Sequence, residues 1–158
     1  MTKSVFEGKY EIDSLAAFLK LSYWYTKLVG ETALQAIATD TWYSAVSKVL
    51  DTVATMQADT GRSADSPYLF RRTTSESMDT LSIQGRGPPS NPNGLTRSLF
   101  RPSDDAVTLP YNIPGNAMIC VELEHLSAIL SQLNTDTALD LQIRAKEISV
   151  PLCAAVRE

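Results

Sequence analysis

The sequence predicts an all-α chain. Three observations carry that expectation. Four segments repeat apolar residues at helical spacing. No stretch alternates apolar and polar residues with period two over any length. One long polar region rich in Gly and Pro, roughly 59–113, divides the four segments into two pairs.

Residues 11–29 form the first segment. Ile12, Leu15, Ala16, Leu19 and Tyr23 follow the i, i+3, i+4, i+7, i+11 rule. A second stripe, Phe18, Leu21, Tyr25 and Leu28, lies on another face, so this helix is expected between two layers. Asp13 or Ser14 is expected to satisfy free N–H groups at its start, and Gly30 suits its end. Asp40 then reads as the cap of a helix from Thr41 to about 58. Trp42, Val46, Val49, Leu50, Val53 and Met56 make its apolar stripe.

From 59 to 94 the character changes. Gly61, Gly85, Gly87 and Gly94 mix with Pro67, Pro88, Pro89 and Pro92 among polar residues. Loops this long in a compact domain usually serve function or are disordered. Tyr68-Leu69-Phe70 reads as a short extended piece inside the region. Pro114 suits the first turn of a third helix. Its Ile119, Leu123, Leu126, Leu130 and Leu133 give the clearest periodicity in the chain. Asp136 is expected to cap a fourth helix with Leu141, Ala145, Ile148 and Leu152 on one face. Pro151 is expected to kink or end it.

Composition bounds the function. The 158 residues are 44% hydrophobic and 20% charged, which fits one domain with a real core. The net charge of −4 comes without a basic block, so no nucleic-acid partner is expected. No apolar run reaches the roughly 18 residues of a membrane span. The first ten residues show no positive region followed by an apolar stretch, so no secretory leader is read there and the compartment stays unknown. Cys120 and Cys153 lie in apolar helical patterns and read as plain core residues, not as a disulfide framework. His125 stands beside Glu122 and Glu124 with no second His, so no metal is expected. No cofactor motif appears: Gly85-Arg86-Gly87-Pro88 lacks the Lys-Ser/Thr of a phosphate-binding loop.

Two clusters carry chemistry. Glu7-Gly8-Lys9-Tyr10-Glu11-Ile12-Asp13-Ser14 sets three carboxylates and an ammonium at the start of an apolar helix. The plain explanation is the macrodipole, which favours acids at a helix N-terminus. The functional one is a polar helix end presented to a polyhydroxylated ligand. Arg101-Pro102-Ser103-Asp104-Asp105 joins a guanidinium, a turn, a hydroxyl and two adjacent carboxylates. Such a string makes a turn with an Arg–Asp pair. It also offers a general acid, because neighbouring carboxylates hold one proton more tightly.

At these residues the chain resembles glycoside hydrolase family 125, the metal-independent exo-acting α-1,6-mannosidases. Phe6-Glu7-Gly8-Lys9-Tyr10-Glu11-Ile12-Asp13-Ser14-Leu15 is similar to the family's Glu-x-Lys-Tyr-Glu-x-Asp-Ser-Leu segment. Gly94-Leu95-Thr96-Arg97-Ser98-Leu99-Phe100-Arg101-Pro102-Ser103-Asp104-Asp105-Ala106 resembles its most distinctive stretch. Tyr111-Asn112-Ile113-Pro114-Gly115-Asn116-Ala117-Met118 resembles the helix start that follows it. Ser66-Pro67-Tyr68-Leu69-Phe70-Arg71 and Asp79-Thr80-Leu81 add weaker support in the family's order.

The resemblance implies an incomplete slice of an (α/α)6 six-hairpin barrel, with about four main helices and loops building a pocket at one end. It implies an inverting exo-α-1,6-mannosidase acting on a non-reducing terminal mannose, without a cofactor. Asp104 falls on the family's general acid. Glu7, Lys9, Glu11, Asp13, Arg101 and Asp105 fall on motif positions assigned to the sugar pocket. Residues 1–158 then form the middle portion of a catalytic domain. The N-terminal Trp-Leu-Arg-Asp-Ser segment and the C-terminal His-Glu-Ser segment that supplies the base have no counterpart here. The chain is therefore expected to be an inactive fragment that binds mannose-containing glycans and self-associates through uncovered helix faces. The competing expectation is a non-catalytic helical module that binds sugar or protein.

Overall fold

A computed structural model describes residues 8–158. The helices are α1 (Ile12–Val29), α2 (Glu31–Ile37), α3 (Asp40–Ala58), α4 (Ser82–Gly85), α5 (Ile113–Leu130) and α6 (Asp136–Arg157), with a 3-10 turn at Ser77–Asp79. Among the described residues there is no strand, and Phe100 and Ala106 form one isolated antiparallel bridge. The all-α reading and its four long helices hold. α4 is one turn, in which Ile83 and Gln84 take left-handed backbone angles.

The periodicities translate directly into packing. α5 lies between α1 and α6, while α3 packs on α6 and α2 on α1. Ile119, Leu123, Leu126 and Leu130 of α5 meet Ile12, Ala16 and Leu19 on one side and Leu141, Ala145, Ile148 and Leu152 on the other. Each Leu or Ile buried this way contributes about 1.5–3 kcal/mol. Trp42, Val46, Val49, Leu50 and Val53 of α3 complete the core. The Trp42 indole N–H donates to Ser22 Oγ at 3.0 Å, which satisfies its polar edge.

Several boundary readings need correction. Thr39, not Asp40, caps α3 by accepting from the Trp42 N–H, and Thr135, not Asp136, caps α6 by accepting from the Ala138 N–H. A threonine one residue upstream does the same chemistry and leaves the aspartate in the first turn, where the dipole favours it. Glu11 occupies the cap position of α1 without a side-chain cap bond, so neither Asp13 nor Ser14 serves there. Pro151 does not end α6, which runs on to Arg157. Pro151 and Glu147 are both exposed, so water satisfies the carbonyl that lacks a donor. Tyr68-Leu69-Phe70 lies outside any helix, and its Phe70 N–H donates to Gly85 O while Leu81 N–H donates to Phe70 O.

A further expectation fails. Cys120 and Cys153 form a disulfide that joins α5 to α6 across 33 residues of sequence. Each lies on the buried face of its helix, and packing those faces brings the sulfurs together. The second stripe of α1 is uncovered, as expected of a slice of a barrel: Leu21 is 70% and Leu28 82% exposed, with Tyr25 and Trp24 also at the surface. No helix among the described residues is long and apolar enough to cross a membrane.

The start of α1, the end of α3 and the start of α5 gather at one end of the bundle. The 59–112 region folds over that end and ties to each: Arg97 N–H donates to Met56 O, and Asn116 exchanges bonds with the Thr96 backbone.

Candidate functional site

The site begins with a buried guanidinium. Arg97 is fully enclosed and pairs with Asp59, itself almost buried at the end of α3. Its Nη2 donates to Arg86 O at 3.0 Å and Pro88 O at 2.9 Å, while the buried Nε has no hydrogen-bond partner among the described residues. Asp59 also accepts from the Gly61 N–H and the Ser66 hydroxyl. The backbone needs room here: a Cβ on Gly61 would stand 2.6 Å from the Arg97 guanidinium, and φ at Gly61 is +64°. One Arg–Asp pair thus joins residues near 59, 66, 86–88 and 97 into a rigid knot. Such a pair costs desolvation but gains from every satisfied partner.

From that knot the chain emerges through buried Leu99 and Phe100. Phe100 packs edge-to-face on Phe70, with ring centroids 5.1 Å apart. Next comes the polar turn. Arg101 N–H donates to Asp105 O, Asp104 N–H donates to Arg101 O, and Ala106 N–H donates to Met78 O. Asp105 is consumed inside the turn, accepting from Arg101 at 3.2 Å and from the Ser103 hydroxyl at 2.8 Å. Asp104 sits at the apex with φ +66°, a left-handed conformation uncommon for a residue with a side chain. Its side chain is 68% exposed.

The segment before α1 approaches the same turn. Tyr68 clamps it, donating to Gly8 O and accepting from the Tyr10 N–H. Lys9, its side chain only 6% exposed, donates to Asp104 O at 3.0 Å and lies 4.0 Å from Asp104 Oδ1. Its ammonium also stands 5.3 Å from the Phe100 ring centre. Burial first, and then the neighbouring carboxylates of Asp104 and Asp13, push the Glu11 carboxyl above its ordinary range, against the Ser14 hydroxyl that donates to it. Burial likewise pushes the Tyr10 hydroxyl up.

The structure therefore brings Lys9, Glu11 and Asp104 together, with Arg101 and Asp105 shaping the turn below. Asp13 faces the same cluster from the first turn of α1. Glu7 lies outside the described residues. Sequence reasoning missed Arg97 and Asp59. Arg97 lay inside the quoted motif but carried no signal of burial, and Asp59 stands 38 residues away. Cys120, Glu124 and Cys153 place ligand atoms within 4.8 Å of one another, but both sulfurs are committed to the disulfide.

Comparison with known proteins follows this geometry. The family model described as metal-independent alpha-mannosidase (GH125) matches residues 1–158. A curated relative, the meiotically up-regulated gene 157 protein of Schizosaccharomyces pombe, is 46% identical over 132 residues, covering 80% of this chain and 25% of that protein. A solved Streptococcus pneumoniae metal-independent alpha mannosidase, in a non-productive complex with alpha-1,6-mannobiose, superposes with a TM-score of 0.86 at 31% identity. The alignment covers 97% of this chain and 34% of that one. The chain thus spans a quarter to a third of the length of these relatives.

Proposed function

Because the chain belongs to the metal-independent α-mannosidases of family GH125, a family of glycoside hydrolases, we propose that it carries the acid side of an exo-acting α-1,6-mannosidase site. The observation behind this reading is the apex of the 101–105 turn. Asp104 is exposed, held in a left-handed conformation and braced by Lys9.

In the proposed reaction the protonated Asp104 carboxyl delivers its proton to the glycosidic oxygen as the C1–O bond breaks. Water attacks C1 from the opposite face, and a carboxylate there takes the water's proton. The products are free mannose of inverted configuration and the shortened glycan. Inversion requires the two carboxyls to stand roughly 6.5–9.5 Å apart, with water between them. The base belongs to a segment outside residues 1–158, and we place this chain as an internal portion of the catalytic domain. The complex named for the pneumococcal relative supports an α-1,6-linked mannoside as ligand.

The uncovered face of α1, with Leu21, Trp24, Tyr25 and Leu28, is where further helices of such a barrel would pack. In the chain alone it drives self-association, read as a mass that rises with concentration in light scattering.

The test joins this chain to the remainder of the pneumococcal domain and follows mannose release from α-1,6-mannobiose. Hydrolysis that survives a chelator and falls at least about a hundredfold in Asp104→Asn, with the helical circular dichroism unchanged, supports the reading. Full activity in Asp104→Asn contradicts it. The chain by itself is expected to release no mannose.

A further inference from the structure

The apex of the 101–105 turn is held from outside the turn. Asp104 takes φ +66°, a conformation that a residue with a side chain keeps only where its surroundings hold it. The turn itself fixes the amide side of that residue, because Asp104 N–H donates to Arg101 O at 2.9 Å. The carbonyl side is held by a distant residue: Lys9 Nζ donates to Asp104 O at 3.0 Å. The Lys9 side chain is enclosed, and its ammonium faces the Phe100 ring at 5.3 Å from the ring centre. An enclosed ammonium stays on its acceptor, since leaving it would strand a charge away from water. Lys9 is fixed in turn by Tyr68. The Tyr68 hydroxyl donates to Gly8 O at 2.6 Å and accepts from Tyr10 N–H at 3.0 Å, so it grips the two residues that flank Lys9. Behind Tyr68, Ser66 Oγ lies 3.3 Å from Tyr68 O and 3.1 Å from Asp59 Oδ2, which ties the assembly to the buried Arg97–Asp59 pair.

Resting on the reading of Asp104 as the acid, we propose that Lys9 and Tyr68 are its positioning residues. Tyr68 sets the backbone from Gly8 to Tyr10, that backbone aims Lys9, and Lys9 holds the Asp104 carbonyl so that the carboxyl stays at the apex. The ammonium reaches the carbonyl at 3.0 Å and the carboxylate only at 4.0 Å, so its first hold is on the backbone. This gives Lys9 a role through Asp104 in place of a contact with mannose. It also brings in Tyr68, which no reading of the motifs placed at the site. Proton delivery explains the need for such a brace. The carboxyl must stand within hydrogen-bond reach of the glycosidic oxygen as the C1–O bond breaks. Rotation of the Asp104 backbone swings the carboxyl away, and a misplacement of about 1 Å already costs on the order of a hundredfold in rate.

The test reads both the backbone and the rate. In NMR of the chain as it stands, a left-handed residue brings its own amide and α protons close together and gives a strong cross-peak between them. That cross-peak is expected at Asp104, lost in Lys9→Met, weakened in Tyr68→Phe and recovered in Lys9→Arg, with helical circular dichroism unchanged. If Lys9→Met fails to fold, Tyr68→Phe decides alone, and a cross-peak that it leaves unchanged overturns the inference. In the joined enzyme, Lys9→Met is expected to lower kcat about a hundredfold and Tyr68→Phe about tenfold, with KM within about twofold. Lys9→Arg regains most of the lost kcat. A raised KM at unchanged kcat in Lys9→Met overturns the inference and makes Lys9 a mannose ligand. Full hydrolysis by Asp104→Asn sinks the acid reading and this inference with it. Hydrolysis abolished in Asp104→Asn but intact in Lys9→Met and Tyr68→Phe overturns this inference alone.

Discussion

Two arginine–aspartate pairs stand four residues apart in the chain and do opposite things. Arg97 and Asp59 are enclosed, with side chains 0% and 5% exposed, and Gly61, Ser66, Arg86 and Pro88 of the loop region are tied to them. Arg101 and Asp105 are 50% and 42% exposed and, among the described residues, bind within their own turn. The first pair replaces a core that the 59–112 region is too polar to build. The second shapes the apex that lifts Asp104 into solvent. Similar side chains thus serve as scaffold where water is excluded and as presentation where it is not, because the same charges interact far more strongly in a low-dielectric interior.

Breaking the buried pair is the strongest perturbation. Arg97→Met leaves Asp59 charged and enclosed, and is expected to cost about 3–5 kcal/mol in urea unfolding. Tyr68 and Phe70 would lose amide protection as the knot opens. A loss under about 1 kcal/mol would show that the loops hold without it.

Reduction of Cys120–Cys153 tests whether core and knot are independent. Dithiothreitol, or Cys120→Ser, is expected to lower stability by about 2–4 kcal/mol through the untied α5 and α6. Exchange protection near Arg97 is expected to persist. Protection lost there first would place the disulfide beneath the knot.

The exposed pair predicts much less. Arg101→Gln is expected to change global stability by under about 1 kcal/mol, while shifting the NMR resonances of 103–105. A larger loss would mean that the turn supports the fold.

Smallest in effect is the pH dependence of Glu11. Its carboxyl is raised in the folded state, so folding binds that proton more tightly. Below the ordinary glutamate range both states are protonated and nothing changes. As pH rises through the folded midpoint the penalty sets in, so stability falls on the alkaline side. Glu11→Gln should flatten that slope in denaturation curves measured between pH 4 and 7.

The helices were legible in the sequence because each buries one stripe, and the stripes of α3, α5 and α6 are all enclosed as read. Caps were legible only to within one residue, since Thr39 and Asp40, or Thr135 and Asp136, offer equivalent oxygens. The disulfide was hidden because helical spacing says which face Cys120 and Cys153 share with the core, not which partner they meet. The Arg97–Asp59 pair was hidden for a related reason: nothing local in either residue records 38 positions of separation. Asp104 was legible through its motif, whereas its left-handed backbone and the approach of Lys9 and Glu11 belong to the folded chain. The exposed stripe of α1 has the pattern of a helix with neighbours on two sides, which a slice of a barrel does not supply.

If Asp104 is an acid whose base stands across the sugar, hydrolysis inverts the anomeric centre. Proton NMR of the anomeric region, during hydrolysis of α-1,6-mannobiose by the joined enzyme, tests this most directly. The prediction is β-mannose as the first free product, converting later to the α form. α-Mannose appearing first would contradict it.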